Sequence, residues 1–369
     1  MFVTRVAGRG TQQPESWAVI GDDGLAVAPV ERFLGFSSDV GRSPNTVRAY
    51  AHDLKDWFEF LSVRGVPFEA VTLDDVGAFV AWLRLPPASR RGGVVAIGQV
   101  EHCAEVTVNR KLSAVLAFYE HAGRNGVPVA GLLTAWRPPG RRGGGHRPFL
   151  HHLSRRRGST GPVVRMRVDR KVPRVLGPGE VQAILDACDR LRDRLLFALL
   201  FDSGMRVGEA LGMRHEDWVV PDCRVTVVRR VNANRARAKS HVSRSIPVSA
   251  ELVRLYADYL HGEYGSLVSD YVFVNLWGRP YGQPLTYPAV YEQVLRLRRV
   301  VGVEFGPHWF RHTYATGLLR AGTPIEVVSQ LLGHASVATT MGVYGHLDAD
   351  DAREALDRAG WLAGRAVRI

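Results

Sequence analysis

The feature that most constrains the fold is an interruption in the apolar pattern of the chain. Residues 137–171 carry eleven basic residues against the single acid Asp169, and three consecutive glycines, 143–145, lie among them. A segment of this composition cannot build a core and is typical of a linker. Apolar residues recur at helical spacing on both sides of it. The chain therefore needs two separate cores, one on each side.

The part before the linker predicts a small helical domain. Ser43 followed by Pro44 is a helix-start signal, and Val47 to Leu61 places apolar residues on one helical face. Thr72 predicts the cap of a second helix, and a third is expected over about 108–121. Residues 1–30 are glycine-rich and predict a loose arm or an edge hairpin. The predicted divisions are an arm at 1–30, a helical domain at 31–135, a basic linker at 136–172 and a further domain at 173–369.

The part after the linker predicts helices around a small antiparallel sheet. Two short strands are expected at Arg224–Arg230 and Ser243–Val248, joined by a polar hairpin loop, with a strand-like stretch at 271–275. Helices are predicted at 178–189, 191–202, 207–213, 250–260, 287–300, 308–320, 324–332 and 337–344, and an amphipathic tail at 352–367. The fold class is therefore mainly α with a small antiparallel β-sheet.

Composition narrows the possible partners and compartment. The net charge of +12 favours a polyanion, although a solvated basic surface with no partner gives the same number. The longest apolar run, 195–201, is too short to cross a bilayer, and the start of the chain does not resemble a secretory signal. Cys103, Cys188 and Cys223 are scattered and suggest reduced thiols rather than disulfides or a metal site. These features predict a cytoplasmic protein.

Several short motifs occur in a fixed order along the chain. They are Ser203–Leu211 around Arg206, the hairpin segment Lys239–Arg244, His308–Arg311, Leu332–His334 and Thr339–His346 around Tyr344. Each motif alone is more often structural than functional. Together they resemble the tyrosine recombinase, or phage integrase, family, and Pro44–Tyr50 and Val108–Ser113 resemble its helical core-binding domain. The resemblance covers roughly residues 31–350.

The resemblance implies a SAM-like core-binding domain followed by an α+β catalytic domain. It implies that Tyr344 attacks a DNA phosphate and forms a 3′-phosphotyrosyl bond. The other catalytic residues would be Arg206, Lys239, His308, Arg311 and His334, while Thr46, Arg48, Asn109, Arg110 and Lys111 are positions expected to contact DNA. No cofactor and no metal ion are required, since the covalent intermediate conserves the bond energy.

The residue types suit this chemistry on physical grounds. Guanidinium groups match the charge that develops on the non-bridging phosphate oxygens, and a histidine can exchange a proton near neutral pH. The chain has 44 arginines but only four lysines, and Lys239 is the single lysine beyond residue 171. A lysine at that place suggests a group that must give up a proton, because arginine does not titrate. Glu209 is expected to orient Arg206 or to form a surface pair.

The partners implied are double-stranded DNA and three further copies of the chain, with accessory DNA-bending proteins as an option and no membrane. Two alternatives remain open: DNA relaxation of the type IB topoisomerase kind, and a DNA-binding protein that has lost cleavage. The spacing from His334 to Tyr344 is one residue longer than the commonest family form, and the linker is long. The long linker suggests a transposon-encoded member.

Overall fold

The computed structural model divides the chain into two compact units, Met1–Arg170 and Lys171–Ile369. Each unit is described by itself below. The residues that the structure describes are 1–10, 13–90, 103–128, 134–137, 159–168, 174–238, 243–334 and 336–344. Lys239 and the predicted tail at 352–367 lie outside them. Within these ranges, no helix is both long and apolar enough to cross a membrane.

The first unit is helical with two small hairpins. Its helices and strands are β1 Phe2–Gly10, β2 Gln13–Ile20, α1 Ala28–Asp39, α2 Pro44–Arg64, α3 Leu73–Arg84, α4 Glu105–Arg124, β3 Thr134–Arg137 and β4 Ser159–Pro162. Strands β1 and β2 pair antiparallel, so the first residues form a hairpin, one of the two forms expected for 1–30. Val19 of β2 is buried with α1 and α2 in the core.

Local capping signals correctly located two of these helices. The Ser43 hydroxyl accepts a hydrogen bond from the Thr46 amide, and Thr72 and Asp75 cap each other's backbone amides at the start of α3. Helix α4 is longer at both ends than the predicted 108–121, and α1 was not predicted. Gly35, Ser37 and Ser38 weaken the helical signal of α1, which is stabilised instead by burial of Phe33 and Leu34.

The first unit extends further than the sequence suggested. Strand β3 pairs with β4 from Thr134↔Pro162 to Arg137↔Ser159, so the two ends of the segment 138–158 lie next to each other. Val164 and Met166 pack against the core of this unit. The described parts of the predicted linker, 136–137 and 159–168, thus lie in the first unit. Val164 and Met166 alternate with arginines in the sequence, so this part of the chain showed no apolar pattern that would predict its packing.

The second unit wraps helices around one small sheet. Its helices are α5 Pro178–Asp186, α6 Leu191–Ser203, α7 Val207–Ala210, α8 Ala250–Tyr259, α9 Tyr287–Val301, α10 Pro307–Arg320, α11 Ile325–Leu332 and α12 Val337–Tyr344. The sheet contains β5 Trp218–Val219, β6 Arg224–Val227 and β7 Arg244–Pro247, in the order β5-β6-β7 and antiparallel throughout. The predicted mainly helical fold with small antiparallel sheets is confirmed.

Helix α6 is the centre of the second core. Leu195, Phe197, Leu199 and Leu200 are all completely buried, so apolar side chains surround the helix instead of forming one stripe. Strands β6 and β7 are shorter than predicted. The stretch predicted as strand-like at 271–275 forms isolated bridges, at Tyr271 and Val274. The core thus supports the ends of α6, β7, α10 and α11, where the predicted catalytic residues lie.

Candidate active site

Arg206 occupies a tight turn between α6 and α7. The Glu209 carboxylate accepts hydrogen bonds from the Arg206 backbone amide at 2.9 Å and from its Nη1 at 3.1 Å. Because one carboxylate holds both the backbone and the guanidinium, the direction of the Arg206 side chain is restricted. The side chain keeps 19% of its surface exposed, so its guanidinium remains accessible to an anion.

The glycine two residues before Arg206 is required by two separate constraints. Gly204 ends α6 with φ +61°, a left-handed conformation that favours glycine. A Cβ at Gly204 would also lie 2.2 Å from Cδ1 of Tyr314 on α10. Close approach of the turn to α10 brings the Gly204 carbonyl within 2.9 Å of Arg311 Nη1, which donates to it.

Arg311 connects two of the predicted motifs. Its side chain is buried, with Nη1 donating to the Gly204 carbonyl and Nη2 donating to the Leu332 carbonyl at 2.8 Å. Gly204 precedes Arg206 by two residues, and Leu332 precedes His334 by two residues. Both contacts go to main-chain carbonyls, so they set the plane of the guanidinium. A single buried arginine thus brings together the segments that carry Arg206 and His334.

His334 lies at the end of α11, next to the helix that carries Tyr344. Its Nδ1 is 2.8 Å from the hydroxyl of Thr340, which is completely buried in α12. Burial, followed by the positive charges of Arg311, Arg206 and Arg244, lowers the pKa of His334 to about 4. The imidazole is therefore neutral at neutral pH and offers one N–H donor and one acceptor nitrogen.

A third arginine, which the sequence analysis placed only within a motif, belongs to the same cluster. Arg244 on β7 donates through Nη2 to Glu209 at 2.7 Å and through Nε to the Leu331 carbonyl at 2.8 Å. Gly333 has φ +63°, and a Cβ there would lie 2.7 Å from Arg244 Nη1. Burial acts to raise the pKa of Glu209, but Arg244 and Arg206 outweigh it and keep that pKa low. Glu209 is therefore a charged anchor for two arginines.

The structure describes the remaining catalytic candidates to different extents. His308 is exposed on α10, three residues before Arg311 and thus on a similar side of the helix. Its ring centroid is 6.4 Å from that of His312, whose pKa is lowered by burial and then by the charges of His308 and Arg311. Tyr344 is the last residue of α12, and its side chain lies outside the described residues. Lys239 lies between β6 and β7 in the sequence, outside the described residues.

The five residues expected to contact DNA lie in the first unit, and each of them contacts another group of the protein. Thr46 bonds to Ser43, and Arg48 lies over the ring of Trp17. Asn109 pairs with the backbone of Met166. Arg110 and the buried Lys111 bind Asp53, and Lys111 also binds Asp56. Lys111 thus joins α4 to α2, while Arg48 and Arg110 are the more exposed of the five.

Comparison with known proteins agrees with this arrangement. Residues 174–351 match the phage integrase family, and residues 30–126 match the N-terminal SAM-like domain of phage integrases. The chain is 37% identical over 334 residues to transposase A from transposon Tn554 of Staphylococcus aureus, covering 90% of this chain and 91% of the relative.

The chain belongs to the phage integrase family of tyrosine recombinases. It is also 30% identical over 336 residues to the tyrosine recombinase XerC of Methylobacterium sp. strain 4-46, covering 88% of this chain and 89% of that one. The predicted family, with a SAM-like domain before an α+β catalytic domain, is confirmed. Among the described residues, no three His, Cys, Asp or Glu side chains lie close enough together to hold a metal ion.

Solved structures share the fold of this tyrosine recombinase. A Tn1549 transposon integrase in complex with circular intermediate DNA has a TM-score of 0.58 at 15% identity, with 89% of this chain and 98% of that one covered. The XerH recombinase in a post-cleavage complex with a palindromic difH substrate has a TM-score of 0.58 at 19% identity, with 91% of this chain and 84% of that one covered. At this identity the likeness concerns the fold.

Proposed function

We propose that this recombinase breaks and rejoins double-stranded DNA at specific sites, with Tyr344 as the nucleophile. The Tyr344 oxygen attacks the scissile phosphorus, and the bond from phosphorus to the 5′ oxygen breaks. The tyrosine proton leaves towards His308, and the departing 5′ oxygen takes a proton from Lys239. A 5′-hydroxyl of the partner duplex then attacks the phosphotyrosyl bond and releases Tyr344. The same bonds are made and broken on each strand.

The observation that carries this proposal is the convergence on Arg311. Its hydrogen bonds join the segments of Arg206 and His334, and the charges of Arg206, Arg244 and Arg311 all act on His334. Guanidinium groups held in this way stabilise negative charge on phosphate oxygens without further reorganisation. A neutral His334 adds a hydrogen-bond donor without adding charge. Thr340, its partner, lies four residues before Tyr344 and links the cluster to the nucleophile helix.

The names of the relatives guide the choice of substrate and assembly. One relative is a transposase, and one fold neighbour was solved with circular intermediate DNA. We infer that this chain acts on the ends of a mobile element, in the cytoplasm, as four copies on two paired sites. The first unit would act as the core-binding domain and the second as the catalytic domain. Sequencing the junctions made in cells that carry the element would test this.

The chemical proposal is tested with a nicked suicide substrate, from which the cleaved strand diffuses away and leaves the covalent adduct. The wild type should form a protein–DNA adduct that survives denaturation, and Tyr344→Phe should form none while still binding the duplex. Tyr291→Phe, at an exposed position of α9, is the matched control and should form the adduct normally. An adduct in Tyr344→Phe would show that the nucleophile is a different residue.

A further inference from the structure

Part of the predicted linker is held against the first unit as an extended strap. The strap is residues 163–168, which follow β4. Val164 and Met166 are half-buried and pack against the core, whereas Arg165 and Arg167 are exposed. This alternation is the side-chain pattern of an extended chain lying on a surface. Val163 and Val164 border a small apolar cavity formed by side chains of α3 and α4.

One side chain of α4 fixes the register of the strap. Asn109 Nδ2 donates to the Met166 carbonyl at 2.9 Å, and the Met166 amide donates to Asn109 Oδ1 at 2.8 Å. The amide thus satisfies both backbone groups of one residue, as a neighbouring strand would. Arg84 Nη2 also approaches the Met166 sulfur at 3.8 Å. A shift of the strap by one residue would bury the arginines and expose the apolar side chains.

We propose that Asn109 is a clamp that holds the strap so that Arg165 and Arg167 bind the phosphate backbone of duplex DNA. Both side chains are on one face, about 7 Å apart as alternate residues of an extended chain, which is comparable with the spacing of successive phosphates. Both are arginines, and one guanidinium group can donate two hydrogen bonds to the oxygens of one phosphate. Among the described residues, no ion pair involves either arginine. The proposal rests on DNA being the substrate.

The clamp also determines where the connection between the units begins. The strap is docked through Met166, the described residues of the first unit end at the exposed Val168, and the next described residue is Arg174. Only five residues, 169–173, separate these positions, and six peptide steps span at most roughly 20 Å. Asn109 would be a positioning residue, because it acts through the strap.

Salt dependence of DNA binding tests the proposal directly. Each phosphate contact contributes about 0.9 to the slope of log K against log salt, so Arg165→Gln with Arg167→Gln should lower the slope by about 1.8. Between about 50 and 200 mM salt, the wild type should then lose roughly tenfold more affinity than this double variant. A random-sequence duplex suffices as the probe, because phosphate contacts do not depend on sequence.

The matched control removes the same charge from the same unit. Arg32 and Arg124 are exposed and both lie near His121, which is about three turns along α4 from Asn109. Arg32→Gln with Arg124→Gln should change the slope much less than the strap variant. Equal slopes for the two double variants would overturn the proposal, because the strap arginines would then act only through net charge.

The clamp has its own test. Asn109→Ala should reproduce the smaller slope of the strap variant, and combining the two should give no further change. An unchanged slope in a folded Asn109→Ala protein would show that Asn109 does not position the arginines. Hydrogen exchange of the wild type covers the case in which the variant does not fold. The Met166 amide should be protected, and exchange as fast as in an unstructured peptide would refute the clamp.

Adduct formation separates this proposal from the proposed chemistry. The control variant, Arg32→Gln with Arg124→Gln, should form the Tyr344 adduct as the wild type does. The strap variant should need more DNA to reach the same adduct yield, because it binds the duplex more weakly. The slopes could behave as expected while the wild type forms no adduct on any substrate. That result would support DNA binding by the strap and contradict the proposed recombinase chemistry.

Discussion

Glu209 is the residue that holds the arginine cluster of the candidate active site together. It is buried, and it binds the Arg206 backbone, the Arg206 guanidinium and the Arg244 guanidinium at once. A buried carboxylate is stable only when it is paired in this way, and removing one partner leaves a costly charge. Arg206 and Arg244 are therefore coupled through Glu209, although 38 residues separate them in the chain.

Lys239 offers the most direct chemical prediction at this scale. If Lys239 protonates the departing 5′ oxygen, a substrate with sulfur at that bridging position should need no proton, because a thiolate is a far better leaving group than an alkoxide. Lys239→Ala should lose cleavage of the normal substrate by at least about a hundredfold and regain most of it with the sulfur substrate. Arg206→Ala should not be rescued. Rescue of neither variant would remove Lys239 from this role.

The two constraints at Gly204 can be separated by a second glycine. Gly204 and Gly302 both end helices with positive φ, but a Cβ at Gly302 would meet nothing within 4 Å. Gly302→Ala should reduce the free energy of unfolding by about 1–2 kcal/mol, the cost of the backbone conformation. Gly204→Ala should cost a further 1–3 kcal/mol or so, because its Cβ overlaps the Tyr314 ring. Denaturant titration measures both, and equal losses would contradict the close approach.

His334 predicts how stability depends on pH. The pKa of His334 is about 4 in the folded protein and near 6.5 in the unfolded chain. As the pH falls, the unfolded chain therefore takes up the proton first. The stability that comes from a neutral His334 is fully present above about pH 6.5 and is lost progressively towards pH 4. His334→Gln should therefore lose less stability than the wild type between pH 7 and pH 5. His261→Gln, at an exposed position, should follow the wild type.

At the scale of elements, local signals were predictable and distant pairings were not. Ser43 and Thr72 cap helices through atoms three residues away, so their sequence neighbours were enough. Lys111 follows Arg110 in a motif that suggested DNA contact, but its partners Asp53 and Asp56 lie on another helix. The catalytic candidates were found through the order of their motifs, and the contacts of Arg244 and Thr340 became evident only in three dimensions.

The salt bridges between α2 and α4 give a prediction that separates structural from DNA-binding roles. The Lys111 side chain is 9% exposed and binds Asp53. Burial raises the pKa of Asp53, although the positive charges of Lys111 and Arg110 act to lower it. Lys111→Met should cost about 3 kcal/mol of unfolding free energy, because Asp53 loses a buried partner. Lys55→Met removes a more exposed partner of Asp56 and should cost less than about 1 kcal/mol.

Salt dependence of DNA binding completes this comparison. A phosphate contact by Lys111 would lower the slope by about 0.9 when the residue is replaced, whereas an internal role leaves the slope unchanged. We expect folded Lys111→Met to bind DNA with the wild-type slope. A reduced slope, together with a small effect on stability, would show instead that Lys111 reaches DNA.

For the whole molecule, the long basic segment separates into parts with different roles. Pairing of Arg137 with Ser159 brings the two ends of the segment 138–158 next to each other in the first unit. Its length therefore does not add to the connection between the units, which depends on 169–173. The sequence alone could not show this, because four-residue strands on either side of a long arginine-rich stretch carry almost no pattern.

This division predicts the result of a deletion. Replacing residues 138–158 by Asn-Gly gives β3 and β4 a two-residue turn that suits an antiparallel pair. The shortened protein should melt within a few degrees of the wild type and form the Tyr344 adduct at low salt, because the strap and residues 169–173 are unchanged. Its DNA affinity should fall less steeply with salt than that of the wild type, because the deletion removes arginines that can contact phosphates. Loss of the adduct in a folded deletion variant, at saturating DNA, would show that the segment 138–158 itself takes part in assembling the catalytic complex.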